Sequence, residues 1–243
     1  MKSKLIHILA EILHILRWFL TVTRNHAFPT TSHRRYLIAY NKYETEEMEK
    51  CYQHFKKYFS RAIFLEKNIQ EYSIKQALQN DNLQKNLYLE FGVYKGITIN
   101  ILSKFVKKIY GFDSFEGLKD EWRGFQNHPK GTFDLKKKLP KLNKNANVVV
   151  GWVQDTLEPF LEKNSQPITF VHMDLDTYES TKFVLSKIKP RLARGSVILF
   201  DQLYNYPGWS VGEYKALIEV FNENQYRFLM FSKIGEQAAI EIL

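Results

Sequence analysis

The stretch Asn86–Gly96, NLYLEFGVYKG, restricts what this chain can fold into more than any other. A short apolar run, Leu87 to Phe91, carries Glu90 near its tip. It breaks into Gly92-Val93-Tyr94-Lys95-Gly96 and passes into an apolar-periodic segment from Ile97 to Val106. That is a strand, a glycine-rich turn and a helix, the unit that sets backbone N–H groups and a helix N-terminus beside a ligand. The spacing Glu-x-Gly-x-x-x-Gly departs from the dinucleotide pattern Gly-x-Gly-x-x-Gly, because Tyr94 stands where a second glycine lets a pyrophosphate approach the backbone. An amino-acid carboxylate and a nucleoside make no such demand, so the turn favours S-adenosylmethionine over NAD.

From residue 86 onward strand and helix patterns alternate. Short apolar runs at about 87–91, 108–112, 147–151, 168–173 and 196–200 read as buried parallel strands. Helical segments fall near 97–106, 156–164, 178–189 and 211–223. The tail changes rhythm: Tyr226–Phe231 and Ala238–Ile242, joined through Gly235, read as a hairpin that adds an antiparallel strand. The expected class is α/β with a mostly parallel, Rossmann-like sheet, whose ligands lie outside the carboxyl ends of the strands.

Those ends carry the chemistry. The second strand ends at Asp113-Ser114, where an acid can accept hydrogen bonds from ribose hydroxyls or simply cap the next segment of chain. The third ends Gly151-Trp152-Val153-Gln154-Asp155, an acid, an amide and a flat ring suited to an adenine, with Asp155 open to a plain capping role. The fourth ends His172-Met173-Asp174-Leu175-Asp176 and the fifth Phe200-Asp201-Gln202. Asp174, Asp201 and Gln202 together offer hard oxygen donors suited to Mg²⁺, with helix capping as the alternative. Strand alternation puts Asp174 and Asp176 on one side, with His172 on it too if the strand reaches that far; a lone strand histidine is also a common core residue.

The formal charge of +9 comes from scattered lysines without an Arg-rich block, which reads as a solvated basic surface and gives no case for nucleic acid. A single cysteine, Cys51, excludes an internal disulfide and fits a reducing cytoplasm. Near the N-terminus, residues 4–22 repeat apolar side chains at helical spacing. Glu11 and Arg17 interrupt the run, against a signal peptide, and its apolar stretches fall short of the about 18 residues a membrane span needs. An amphipathic helix remains, docking on a second subunit, on the domain or on a membrane surface. Residues 25–43 read as a connector, followed by helices at about 44–59, opening on Thr45-Glu46-Glu47, and at 61–79.

Taken together, LEFGVYKG at 89–96, GFDSFEGL at 111–118, GWVQDTL at 151–157, HMDLDTYEST at 172–181 and ILFDQLYNYPGW at 198–209, followed by Gly212-Glu213, resemble the class I S-adenosylmethionine-dependent methyltransferases, and specifically the macrocin O-methyltransferase (TylF-like) family. The resemblance spans residues 87–243. It implies a seven-stranded sheet whose last strand is antiparallel, a methyltransferase domain over 81–243 and an N-terminal helical extension over 1–80. It also implies that Glu90, Gly92, Val93 and Gly96 shape the methionine end of the cofactor site, that Asp113 and Ser114 take the ribose, and that Gln154 and Asp155 border the adenine. In such relatives Mg²⁺ is held by an acid at the position of Asp174 and an acidic pair at 201–202. Here Gln202 replaces the second acid and removes one negative charge, which weakens a Mg²⁺ site.

The implied reaction is in-line transfer of a methyl group to a hydroxyl of a sugar, glycosylated small molecule or glycan. Asp176 and His128 are the candidate bases. His128 lies in the long loop Lys119–Phe133, a candidate lid in which Trp122 and Phe125, like Trp209 beyond it, offer flat surfaces for a sugar ring. Thr177, three residues after Asp174, leaves no lysine base of the catechol type there. The competing reading is a methyltransferase-like module that binds the cofactor without turnover. A nucleic-acid enzyme is disfavoured, since no stacking aromatic follows Asp174.

Overall fold

The computed structural model describes residues 31–122 and 128–243. The amphipathic helix expected over 4–22, the first part of the connector and Phe125 lie outside the described residues. Two compact units are distinguished, Met1–Glu46 and Glu47–Leu243.

Within the second unit the sheet has eight strands: β1 (Ile63–Leu65), β2 (Leu87–Phe91), β3 (Ile109–Asp113), β4 (Ala146–Val150), β5 (Ile168–Met173), β6 (Leu192–Phe200), β7 (Tyr226–Ser232) and β8 (Ala238–Ile242). Their order is β1-β7-β8-β6-β5-β2-β3-β4. All neighbours pair in parallel except β8, antiparallel to both β6 and β7. The antiparallel tail strand expected from the hairpin is therefore present, and the count exceeds the expected seven by β1.

The helices are α1 (Thr31–Phe59), α2 (Ile69–Leu78), α3 (Ile97–Leu102), α4 (Val153–Lys163), α5 (Tyr178–Ile188) and α6 (Glu213–Val220). Alternation along the strands divides the core in two. Val171, Met173, Ile198 and Phe200 join Phe55 of α1, Leu157 of α4, Leu185 of α5 and Leu217 of α6 on one face. Phe170, Val197 and Leu199 join Ile74 and Ala77 of α2 and Ile99 and Leu102 of α3 on the other. The central strands β2 and β5 are buried along their whole length, as continuous apolar runs covered on both faces must be. Each fully buried Leu, Ile or Phe contributes about 1.5–3 kcal/mol of apolar transfer. The aromatic ring of Phe55 is the hub of the α1 contact, with Tyr204, Trp209, Tyr214, Phe228 and Phe231 all within 5.9 Å centroid to centroid.

Two sequence expectations are corrected. Residues 61–79 are not one helix: Ile63-Phe64-Leu65 pairs in parallel with Met230–Ser232, and Asn68, at φ of 63°, turns the chain into α2. A three-residue strand carries no periodicity of its own, and its partner is distant in sequence. Residues 31–43 are helical, not a connector, and the Thr45 hydroxyl donates back to the Asn41 carbonyl at 2.7 Å instead of capping a new helix. Ends also shift: α3 stops at Leu102, α4 begins at Val153, α6 spans 213–220 and β6 begins at Leu192. Among the described residues no helix is long and apolar enough to cross a membrane.

Candidate functional site

The carboxyl ends of β2, β3, β5 and β6 open into a cavity of about 310 Å³. Gly92, Asp113, Ser114, Trp152 and Gln154 form one wall; Asp174, Asp176, Asp201, Gln202 and Glu236 form the other. Gly92 makes this closeness possible. Its φ is +90°, and a Cβ there would sit 1.8 Å from the Asp174 carbonyl oxygen, so only glycine lets the turn after β2 pass the end of β5. Gly96, at φ of +76°, opens α3 next to Leu142 and does not reach the cavity wall.

The first wall is internally satisfied. The Asp113 carboxylate accepts the backbone N–H groups of Val93 (2.8 Å), Tyr94 (2.7 Å) and Phe115 (2.6 Å), which ties the glycine turn to the segment after β3. Ser114 Oγ accepts from Glu116 N–H at 3.1 Å. The Gln154 amide accepts from Lys119 Nζ (3.3 Å) and donates to Ser180 Oγ (3.3 Å), while the lysine ammonium also lies 5.7 Å from the centroid of the Trp152 ring. Val93 is buried behind the turn. Asp155 stands on the exposed first turn of α4, within the helix and away from the cavity wall.

The opposite wall concentrates acid. Burial, then the charges of Asp201, Asp176 and Glu213, hold the Asp174 carboxyl well above the usual carboxylate range. Burial and then Asp201 and Asp113 push Asp176 up to about 7. Glu213, fully buried, is raised for the same reasons, burial first and Asp201 next, and Glu236 follows. Asp201 accepts from Gln202 Nε2 at 2.6 Å and from Gln237 Nε2, and Gln202 N–H donates to Glu213 at 3.0 Å. Among the described residues no lysine or arginine forms an ion pair with Asp174, Asp176 or Asp201. Gln202 Oε1 and Glu213 Oε1 are buried without a hydrogen-bond partner among them. Uncompensated carboxylates beside unpartnered oxygens suit a divalent cation.

Glu90 and His172 lie deeper. Paired across β2 and β5, both are buried, and Glu90 Oε1 is 3.1 Å from His172 Nδ1. His172 thus shares the face of Asp174 and faces Asp201. His128 is not in the cavity wall; it stacks on Trp122 at 5.3 Å, with Phe133 at 5.1 Å and Tyr94 beyond it, so an aromatic string borders the cavity mouth. Trp209 packs in the core against Phe55 and Tyr214, remote from the wall. Sequence reasoning missed Glu236 and Ser180 and gave Glu213 no role. The first sits in the β7–β8 hairpin and the last in the first turn of α6, where an acid is unremarkable.

Residues 89–203 match the family model described as a methyltransferase domain. The fold is that of the class I methyltransferases. It is similar to the crystal structure of CalS11, a calicheamicin methyltransferase, at 24% identity over 71% of this chain and 76% of that one, with a TM-score of 0.58. An apo structure of CalS11, described as TDP-rhamnose 3′-O-methyltransferase, matches at 23% identity over 71% and 76%, with a TM-score of 0.51. No curated protein sequence matches the chain. Residues 89–203 therefore match a methyltransferase domain, set in a fold of the class I methyltransferase type.

Proposed function

We propose that the protein is an O-methyltransferase that moves a methyl group from S-adenosylmethionine to a hydroxyl of a sugar or glycosylated small molecule, assisted by a divalent cation. The observation that carries this reading is the meeting, round one cavity, of the Gly92 turn, Asp113 and Gln154 with Asp174, Asp176, Asp201 and Gln202. Glu90, Gly92, Val93 and Gly96 would shape the methionine end of the cofactor site, Asp113 and Ser114 the ribose end, and Gln154 the adenine end, with Asp155 outside the cavity wall. When bound there, S-adenosylmethionine supplies a methyl group on a sulfonium, open to in-line displacement by an oxygen.

Asp174, Asp201 and Gln202 would hold the cation, Mg²⁺ being the ion such an oxygen set suits, and it supplies a lower pKa to the acceptor hydroxyl. Asp176, which lines the same wall, would take the hydroxyl proton. Trp122, Phe133 and Trp152 present flat surfaces for a sugar ring, and His128 would act by holding Trp122 in position. The five TylF-like motifs and the sugar acceptor named for CalS11 support this acceptor class. Residues 81–243 would be the catalytic part. Residues 1–80 would supply a subunit interface or a membrane-surface contact, and the enzyme would work in the cytoplasm.

Calorimetric titration with S-adenosylmethionine, followed by methyl transfer to nucleotide sugars, tests the reading. Micromolar binding with transfer to a sugar hydroxyl supports it. Binding without transfer to any hydroxyl acceptor leaves a silent binding module, and no binding removes the cofactor assignment.

A further inference from the structure

The imidazole of His172 is buried to 1% exposure of its side chain, yet only one of its nitrogens is used. Nδ1 meets Glu90 Oε1 at 3.1 Å. Nε2 has no hydrogen-bond partner among the described residues and faces Asp201 Oδ1 at 4.0 Å. One ligand atom from each of His172, Asp174 and Asp201 can be chosen so that all three lie within 4.8 Å of one another. Two atoms each about 2.1 Å from a shared ion stand about 3–4 Å apart, so a small inward movement of the carboxylates completes a coordination triangle.

The arrangement behind the ring fits the same role. A histidine that ligates a metal through one nitrogen ordinarily donates its other N–H to a carboxylate, which fixes tautomer and orientation. Glu90 stands where that carboxylate belongs. Among the described residues its only charged partner is His172, so a role in holding the ring explains a buried acid that the cofactor reading alone leaves deep behind the cavity wall.

We propose that His172 Nε2, Asp174 and Asp201 form the cation site, with Glu90 orienting the histidine, and that the site takes a first-row transition-metal dication in preference to Mg²⁺. The inference rests on the cation-assisted reading above and changes its donor set. The His172 imidazole nitrogen takes the place of the Gln202 amide oxygen; imidazole donors favour Zn²⁺, Fe²⁺ and Ni²⁺ over the hard Mg²⁺. Gln202 then need not supply a charge. Its Nε2 already donates to Asp201, which holds that carboxylate in place.

The test uses the full chain, stripped with a chelator and loaded with Mn²⁺, the weakest binder of the transition series and so the most demanding probe. Pulsed electron paramagnetic resonance reads whether a nitrogen nucleus couples to the bound ion. Competition with Mg²⁺ reads preference, and calorimetry on the same sample reads S-adenosylmethionine binding. The expected result is ¹⁴N coupling in the unaltered protein, lost in His172→Gln and in Asp174→Asn. Mn²⁺ should bind at least about tenfold tighter than Mg²⁺, and Glu90→Gln should weaken Mn²⁺ about 10–100-fold without abolishing the coupling. If His172→Gln does not fold, the Asp174→Asn and Glu90→Gln results decide. Mn²⁺ bound at Asp174 without ¹⁴N coupling overturns the proposal and leaves an oxygen-only site. Absence of Mn²⁺ binding with S-adenosylmethionine binding intact overturns it together with cation assistance, while the methyltransferase reading stands.

Discussion

On the β3 side of the cavity the Asp113 carboxylate is met by three backbone N–H groups within 2.8 Å; on the β5–β6 side Asp174, Asp176 and Asp201 share a small volume with the buried Glu213, and acceptor oxygens there have no partner among the described residues. The first wall is finished before any ligand arrives, and its groups hold a fixed shape. The second wall carries electrostatic cost that folding alone does not relieve, since like charges in a shielded site raise one another's proton affinity. Such concentrations of perturbed acid mark sites where a protein forgoes stability for chemistry. A finished wall should respond to mutation by losing stability, and an unfinished one by gaining it while losing activity.

The sharpest way to break this contrast is Gly92→Ala, at the point where the two walls touch. A side chain at φ of +90° with its Cβ 1.8 Å from the Asp174 carbonyl forces the turn off the end of β5. The expected loss is about 3 kcal/mol or more by denaturant unfolding, with S-adenosylmethionine binding lost alongside. A variant as stable as the parent would mean that the turn is not pinned there.

Asp174→Asn examines the acidic wall alone. Turnover should fall about a hundredfold, the scale of removing one preorganised electrostatic group. Stability without cation should rise by about 1 kcal/mol, because a repelled, half-buried carboxylate has been neutralised. Adding a divalent ion at about a hundred times its dissociation constant should stabilise the parent by about 2.7 kcal/mol and the variant hardly at all, a difference that paired thermal melts would detect.

Asp113→Asn addresses the opposite wall. Replacing one acceptor oxygen by an amide NH₂ among three backbone donors should cost about 2 kcal/mol in a urea titration, with no compensating gain when cation is omitted. Responses of opposite sign at Asp113 and Asp174 would establish the contrast; matching losses would dissolve it.

The smallest effect is expected at His128. Because it stacks on Trp122 and is absent from the cavity wall, His128→Ala should raise the acceptor KM severalfold while kcat stays within about twofold. A collapse of kcat in steady-state assays would restore it as a base.

Much of the fold was legible because buried parallel strands write themselves as short apolar runs, and their ends as acids and glycines. LYLEF before Gly92 and ITFVHM before Asp174 are both cases. The edge strand Ile63–Leu65 was not, since three residues show no period and their pairing with Met230–Ser232 depends on chain folded much later. The long helix α1 escaped for a different reason: Thr45 has the residue type of a cap, but its hydroxyl bonds within the helix to Asn41. Glu90 was singled out from sequence for its place beside the glycine turn, whereas the structure sets it behind that turn, against His172.

By itself the sequence determined the alternation of strand and helix, the strand that carries each acidic tip, and the glycine that the turn after β2 demands. Those are local matters of periodicity, turn chemistry and which backbone angles a residue tolerates. Only the tertiary structure decided that His172 faces Asp201, that Glu213 and Glu236 add their charge to the same wall, and that Asp155 faces away. Electrostatic interaction and desolvation act through space, and residues far apart in the chain acquire a common chemistry when the sheet brings its strand ends together.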